Sequence, residues 1–243
     1  MSTADTSTLP AATPRCVVDH LVVAAVSLDE GVAWCERTLG ITPGPGGEHP
    51  LMGTHNRLFN VSSPAFSNAY FEIIAIDPAK SPQRPAGMKR WFDLDDAPLR
   101  EQLARTGPQL CHFVARTANA SSAGAALTRL GIDRGELIEA SRMTPHGRLS
   151  WKITVRPDGQ RLFGGTLPTL IEWGSVHPAE HMPASGVSLE SITLSHPEPD
   201  RLREALSAIG MRETGVEQGA LKIATRLTTP RGVIDLSSPA ASA

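Results

Sequence analysis

The chain has 243 residues, 40% hydrophobic and 20% charged. This is a globular composition, long enough for one large domain or two small ones and too apolar for disorder along its whole length. Lys and Arg number 23 against 25 Asp and Glu, a formal charge of -2, so no basic excess is available to hold a phosphate backbone and nucleic acid is not an expected partner. The apolar runs are strand-length, well short of the roughly 20 residues of a membrane span, so a membrane is not expected either.

Residues 1–15 are mostly small and polar, punctuated by proline. They have neither the basic region nor the apolar stretch of a secretory signal and read as a flexible tail. A cytoplasmic location is the expectation. The three cysteines, Cys16, Cys35 and Cys111, are odd in number and scattered, which is no disulfide framework and fits a reducing compartment.

Three segments then share one pattern: DHLVVAAVSLDEGVAWCERTLG at 19–40, CHFVARTANASSAGAALTRLG at 111–131 and ESITLSHPEPDRLREALSAIG at 190–210. Each runs from an apolar strand through a polar turn into an amphipathic helix and ends on glycine. In the first, Val17 to Ala25 is rich in β-branched residues. Ser27 or Asp29 can cap the helix. Val32, Cys35 and Leu39 fall on helical spacing, and Gly40 supplies the stop that recurs at Gly131 and Gly210.

Strand-like segments follow each unit, at 57–61 and 69–76, at 135–141, 149–155 and 168–173, and at 220–227 and 232–236. One helix followed by a run of strands predicts an α+β fold rather than a doubly wound α/β sheet. The expected organisation is tandem βαβββ modules forming a cupped mixed sheet. The first module spans 16–90, a linking helix 91–107, the second module 108–178 and a shortened third module 187–236, with a tail at 237–243. Proline-rich joints stand at 78–85 and 178–183.

Alternation along the strands groups Val18, His20 and Val22; Tyr70, Glu72 and Ile74; Leu110, His112 and Val114; and Leu170, Glu172 and Gly174. Ionisable groups amid apolar strand neighbours are costly unless they are paired, protonated or bound to a cation. The first two modules each carry a His on the first strand and a Glu on the last, whereas the third has Ser191 and Asp235 there. Two His and two Glu suit a divalent cation such as Zn, Ni, Co, Mn or Fe(II). Taken singly, each is more often a hydrogen-bonded core histidine or an ion-paired edge carboxylate than a ligand.

The glycine-rich loop GGEHPLMGTHN at 46–56 carries His49, His55 and Asn56, and it reads either as a ligand-approaching loop or as an ordinary connection. His49, Asn56, Arg57 and Lys152 are candidate substrate contacts, the last two as anion clamps, although the polar face that carries Lys152 equally suits plain solvent exposure. Trp151 and Trp173 read as core, and Trp91 as lining or covering a cleft. No GxSxG, phosphate loop or GxGxxG is present. Cys111 and His112 are strand neighbours that point to opposite faces, so they form no dyad.

The repeated modules, with His on the first strand and Glu on the last, resemble the vicinal oxygen chelate superfamily. More narrowly, GGEHPLMGTHNRL at 46–58, YFEIIAID at 70–77, RWFDLDD at 90–96, QLCHFVAR at 109–116, LSWKITV at 149–155 and LPTLIEWG at 167–174 resemble its glyoxalase-like subgroup, over residues 16–236. The resemblance implies paired modules around a cleft with a divalent metal at its base. By position, His20, Glu72, His112 and Glu172 match the four-ligand set of glyoxalase I. His20, His112 and Glu172 equally match the two-His-one-carboxylate set of extradiol dioxygenases, whose catalytic His and Tyr have no counterpart here.

The function expected on that basis is a metal-dependent lyase or isomerase. It would act on a small vicinal-oxygen substrate through a metal-stabilised enolate or alkoxide, with Glu72 as fourth ligand or as base. The alternatives are a Fe(II) dioxygenase, a non-catalytic protein that binds a drug or toxin, and a purely structural network. The expected partner is a small molecule, and a homodimer is compatible with the sequence.

Overall fold

A computed structural model describes residues 14–240. Of the two expected tails only residues 14–15 and 237–240 fall within that range. Ser237 closes the last strand and Ser238 is hydrogen-bonded to Ile223.

The first module comprises β1 (Cys16–Ala24), α1 (Leu28–Leu39), β2 (Glu48–His49), β3 (Thr54–Asn60) and β4 (Tyr70–Ile76). Ser27 caps α1 by accepting from the Glu30 amide, and Gly40 ends it at φ 78°, a left-handed value that favours glycine. After α2 (Ala97–Thr106), the second module comprises β5 (Gln109–Thr117), α3 (Ala120–Thr128), β6 (Glu136–Thr144), β7 (Gly147–Val155) and β8 (Thr169–Trp173). The third comprises β9 (Ser188–His196), α4 (Pro199–Ala208), β10 (Gly215–Gln218), β11 (Lys222–Thr229) and β12 (Gly232–Ser237). Its strand β10, with the polar sequence GVEQ, carries no apolar run by which the sequence signals it. Among the described residues no helix is long and apolar enough to cross a membrane.

The first two modules build one eight-stranded mixed sheet in the order β2-β3-β4-β1-β5-β8-β7-β6. Each contributes four strands in the same relative order, β1 pairing parallel to β4 and β5 parallel to β8, and the halves meet where β1 runs antiparallel to β5. The sheet curls into a half-barrel. Helices α1 and α3 and the third module's four-stranded sheet cover one face, and Leu21, Val23, Phe71, Ile73, Phe113 and Leu170 point into that core together with Leu194, Leu202 and Ile223. Both faces of the central strands are therefore buried, which explains their nearly continuous apolar sequence.

The concave face carries Val22, Ile74, Val114, Trp151, Ile153 and Ile171, roofed by Trp91, Phe92 and Leu94. The linking helix begins only at Ala97, not at residue 91, with Pro98 in its first turn. The preceding residues Phe92 and Asp93 both adopt positive φ, 60° and 59°, a conformation that costs roughly 1 kcal/mol or more per non-glycine residue. Arg161 holds the turn, its Nε donating to Asp93 Oδ2 at 2.7 Å and its amide to Asp93 Oδ1 at 3.0 Å.

Two bulges interrupt the β1–β5 ladder, between Val18 and His20 and opposite Cys111, where Val22 pairs with His112 but Val23 with Leu110. They break two of the groupings expected from strict alternation. Val18 and Leu110 join the helix-side core, while His20, Val22, His112 and Val114 face the concavity.

Candidate functional site

The concavity at the centre of the sheet narrows to a cavity of about 40 Å³ lined by His20, Asn56, Tyr70, Glu72 and Arg142 and by aromatic residues that include Trp91, Phe92, Trp151 and Trp173. Strands β1 and β4 pair in parallel with Val22 opposite Glu72, so His20 and Glu72 stand on neighbouring strands of one face. His20 Nε2 lies 3.4 Å from Glu72 Oε2. On its other side His20 Nδ1–H donates to Asp19 Oδ1 at 2.6 Å, and the Tyr70 ring stacks on the imidazole with centroids 4.5 Å apart.

Asp19 is wholly buried and fully occupied. Its Oδ2 accepts from Trp173 Nε1 at 3.0 Å and from His177 Nε2 at 2.8 Å. Burial works against its charge, but hydrogen bonds from His177 and His20 outweigh burial and hold its carboxyl well below the usual range. Burial likewise opposes a charge on His20, yet the hydrogen bonds to Asp19 and Glu72 raise it to about 9. Glu72 is lowered, burial being outweighed by the hydrogen bond from His20 and by the opposing charge. At neutral pH the chain Asp19–His20–Glu72 therefore reads carboxylate, imidazolium, carboxylate.

Asn56 orients Glu72, its amide donating to Oε1 at 2.6 Å and to His49 Nε2 at 3.3 Å, while its Oδ1 accepts from the Gly47 amide at 2.8 Å. A Cβ on Gly46 would stand 1.9 Å from the Asn56 carbonyl oxygen, which is why the loop needs glycine there. His49 lines the same cavity. Burial pushes it down to about 4, so it is neutral. Arg142 reaches in from β6, with no hydrogen bond or ion pair among the described residues, near the negative Glu72.

The other expected ligands are placed differently. His112 faces the same concavity, but both its nitrogens are used. Nδ1–H donates to the Gly165 carbonyl at 2.9 Å, and Nε2 accepts from the Thr169 amide at 3.2 Å and stands 3.0 Å from its hydroxyl. Burial, with the charges of Arg134 and Arg161, holds it neutral far below the usual histidine range.

Glu172 is on the opposite face of the sheet. Period-two alternation along β8 sends Ile171 and Trp173 into the cavity and Glu172 toward α3, where Oε2 accepts from the Ala120 amide at 2.9 Å and Oε1 from Lys152 Nζ at 3.1 Å. Lys152 is thus a partner of Glu172 and does not line the cavity. Arg57 pairs with Ile73 of the helix-side core and is exposed to solvent.

Among the described residues no three His, Cys, Asp or Glu side chains converge as a metal would require. The set His20, Glu72, His112 and Glu172 does not fit a four-donor divalent site, and His20, His112 and Glu172 do not fit a facial triad. Thiol nucleophiles are not supported either, since burial pushes Cys111 up to about 11.

Sequence reasoning missed Asp19 and Arg142. Asp19 sits beside His20 in the sequence, and strict alternation assigns the two to opposite faces; the adjacent bulge brings them together. Arg142 lies in a strand of alternating polarity that reads as solvent-facing. Trp151 and Trp173, expected in the core, line the cavity instead, and Trp91 roofs it.

The sequence profile of a family described as the glyoxalase-like domain matches residues 18–210. Among solved structures the chain is similar to a hypothetical protein from Staphylococcus aureus, at 15% identity and TM-score 0.56, over 92% of this chain and 88% of that one. A variant of Streptomyces coelicolor methylmalonyl-CoA epimerase in complex with 2-nitronate-propionyl-CoA is similar at 17% identity and TM-score 0.38, over 66% and 96% of the two chains. Methylmalonyl-CoA epimerase from Mycobacterium tuberculosis is similar at 14% identity and TM-score 0.37, over 69% and 92%. No curated protein matches the chain.

Proposed function

We infer that this chain, which belongs to the glyoxalase-like domain family, is an enzyme that moves a proton next to the carbonyl of a small carboxylate-bearing molecule, in isomerase or lyase chemistry. The observation that carries the reading is the Asp19–His20–Glu72 chain at a cavity walled by aromatic and aliphatic side chains, beside Arg142, which has no partner among the described residues. Perturbed, coupled ionisable groups in a concave site are a physical marker of acid–base function.

Each residue has a role in such a reaction. Arg142 binds the substrate carboxylate. The substrate carbonyl oxygen takes the place of Glu72 as acceptor from His20 Nε2–H. Freed of that partner in a dry site, the Glu72 carboxylate becomes a stronger base and takes the proton α to the carbonyl, with Asn56 holding its other oxygen in place. The electron pair left behind moves to the carbonyl oxygen, and the His20 imidazolium, kept charged by Asp19, stabilises the resulting oxyanion. Return of the proton from Glu72 to another carbon or to the other face completes an isomerisation, while departure of a β-substituent completes an elimination. The cavity of about 40 Å³ holds only a few atoms, so substrate entry requires the Trp91–Phe92 roof to move. Every step uses the chain's own residues, and among the described residues no set of donors converges as a metal would require.

The test is proton exchange in D₂O, followed by ¹H NMR, with a panel of small 2-oxo and 3-oxo carboxylates. Loss of the α-proton signal is expected with at least one compound, slowed by about 10²- to 10⁴-fold in Glu72→Gln and unchanged after dialysis against a strong chelator. The apolar walls also suit a second reading, a non-catalytic cleft for a drug or toxin. No exchange with any compound, together with equal ligand binding by wild type and Glu72→Gln, would establish that reading instead.

A further inference from the structure

A second cavity, of about 10 Å³, lies behind the roof and is lined by Trp91, Phe92, Arg134, Thr154, Arg161 and Thr169, among others. Arg134 is only 5% exposed. Its Nη2 donates to Thr169 Oγ1 at 2.7 Å, but its Nε and Nη1, both buried, have no acceptor among the described residues, and neither has Trp91 Nε1. The unpartnered groups of these two lining residues are all donors.

The charges do not balance either. Arg161 is paired with Asp93 and Arg156 with Asp158, whereas no carboxylate stands within ion-pair distance of Arg134 among the described residues. The neighbouring Asp133 turns outward, 77% exposed, beside Arg156. Burial lowers Arg134 to about 9, the charge of Arg156 adding to the effect, so the guanidinium still carries its charge at neutral pH. An uncompensated charge held in a protein interior is expensive. The orphan N–H groups compound the cost, since a buried donor without an acceptor bears its full desolvation penalty.

We propose that Arg134 and Trp91 form a buried binding site for a single halide ion. Such an ion accepts from several N–H groups at once and supplies the missing negative charge. The small space, about 10 Å³, suits a single-atom ligand better than a polyatomic anion. Water fits the space but brings no charge to offset the guanidinium. Trp91 lines both cavities, so the ion ties the roof of the concavity to the end of β8. The site stands independently of the reaction assigned to the main cavity.

The decisive experiment is diffraction from full-length crystals grown in sodium bromide, with data collected at the bromine edge. The expected result is one anomalous peak within hydrogen-bond reach of Arg134 Nε and Trp91 Nε1. Density there with no anomalous signal is water and overturns the proposal, as does an anomalous peak seen only at molar bromide.

In solution, thermal unfolding at fixed ionic strength, with gluconate exchanged for chloride, should show a saturable rise in midpoint. Trp91→Phe keeps the ring and removes one donor, and it should weaken the apparent chloride affinity about ten-fold. The same titration on Arg134→Gln should be flat if that variant folds. A midpoint that depends only on ionic strength, or a Trp91→Phe protein that folds with unchanged chloride affinity, overturns the proposal.

Discussion

At the scale of single residues, the histidines divide by what touches them. His20 is charged because two carboxylates flank it, whereas His49 and His112 are neutral because burial dominates. The two kinds pull stability in opposite directions with pH. His20 rises from 6.5 to about 9 on folding, so its contribution is complete below pH 6.5 and is lost as pH climbs through 9. His49, at about 4, and His112 stay unprotonated in the fold while the unfolded chain takes up protons below 6.5, so stability falls on acidification. The lowered Asp19 and Glu72 withdraw their own contribution once the pH drops below the ordinary carboxylate range. Stability should therefore peak near pH 6.5. Chemical unfolding across pH should show the alkaline limb flattened in His20→Gln and the acid limb made shallower in His112→Gln. An alkaline limb that survives His20→Gln would mean the Asp19–His20–Glu72 pairing is not what holds the imidazole charged.

At the scale of elements, β8 shows how one strand serves two ends. Ile171 and Trp173 build the cavity wall, while Glu172, one residue between them, caps the N-terminus of α3 through the Ala120 amide and pairs with Lys152. A carboxylate at that end of a helix meets unsatisfied N–H groups and the positive end of the helix dipole. Replacing Glu172 with Gln should lower stability by about 0.5–1 kcal/mol, read from the denaturation midpoint, and leave ligand binding and proton exchange at wild-type rates. A Glu172→Gln protein that folds normally but fails to bind or exchange would return this residue to the site. The left-handed pair Phe92–Asp93 acts on the same scale. It turns the chain before α2 so that two aromatic rings roof the concavity, and Arg161 supplies the hydrogen bonds that hold the turn.

At the scale of the whole molecule, the third module lacks the His/Glu pair but shares its core with the large sheet. Leu189, Ile192, Leu194, Leu202, Ile209, Ile223 and Leu227 lie in one buried cluster with Leu21, Phe71 and Phe113 of the large sheet. Backbone hydrogen bonds cross the boundary, from the Cys16 amide to the Ile209 carbonyl at 3.0 Å and from the Leu189 amide to the Val61 carbonyl at 2.9 Å. Burying each large aliphatic side chain contributes about 1.5–3 kcal/mol, so exposing all seven costs as much as or more than the net stability of a typical domain, about 5–15 kcal/mol. A chain ending at residue 183 should fail to give a cooperative thermal transition, and the full chain should unfold in one. Calorimetry on both decides it, and a truncated chain with its own sharp transition would show the first two modules to be self-sufficient.

The α+β architecture and the order of elements, β2 and β10 excepted, follow from the sequence alone, because they rest on local periodicity: an apolar strand, a capping residue such as Ser27, a helical stripe, and a glycine stop at Gly40, Gly131 or Gly210. His20 and Glu72 stood out for the same reason, as ionisable residues in apolar strands. Alternation says which residues of a strand share a face. It does not say which face is concave, so Glu172 was grouped correctly along β8 and yet turns away from the cavity. The bulges at Val18–His20 and at Cys111 shift the count by one residue, and only pairing with a neighbouring strand reveals them. They bring Asp19 into line with His20 and move Leu110 to the helix side. Arg142, Arg134 and Trp91 are polar or aromatic residues in segments that read as surface or linker, and their meaning depends on what the curled sheet brings opposite them. Local propensity and period belong to the sequence. Convergence across segments far apart in the chain, and the burial that gives charges their chemistry, were decided by the tertiary structure.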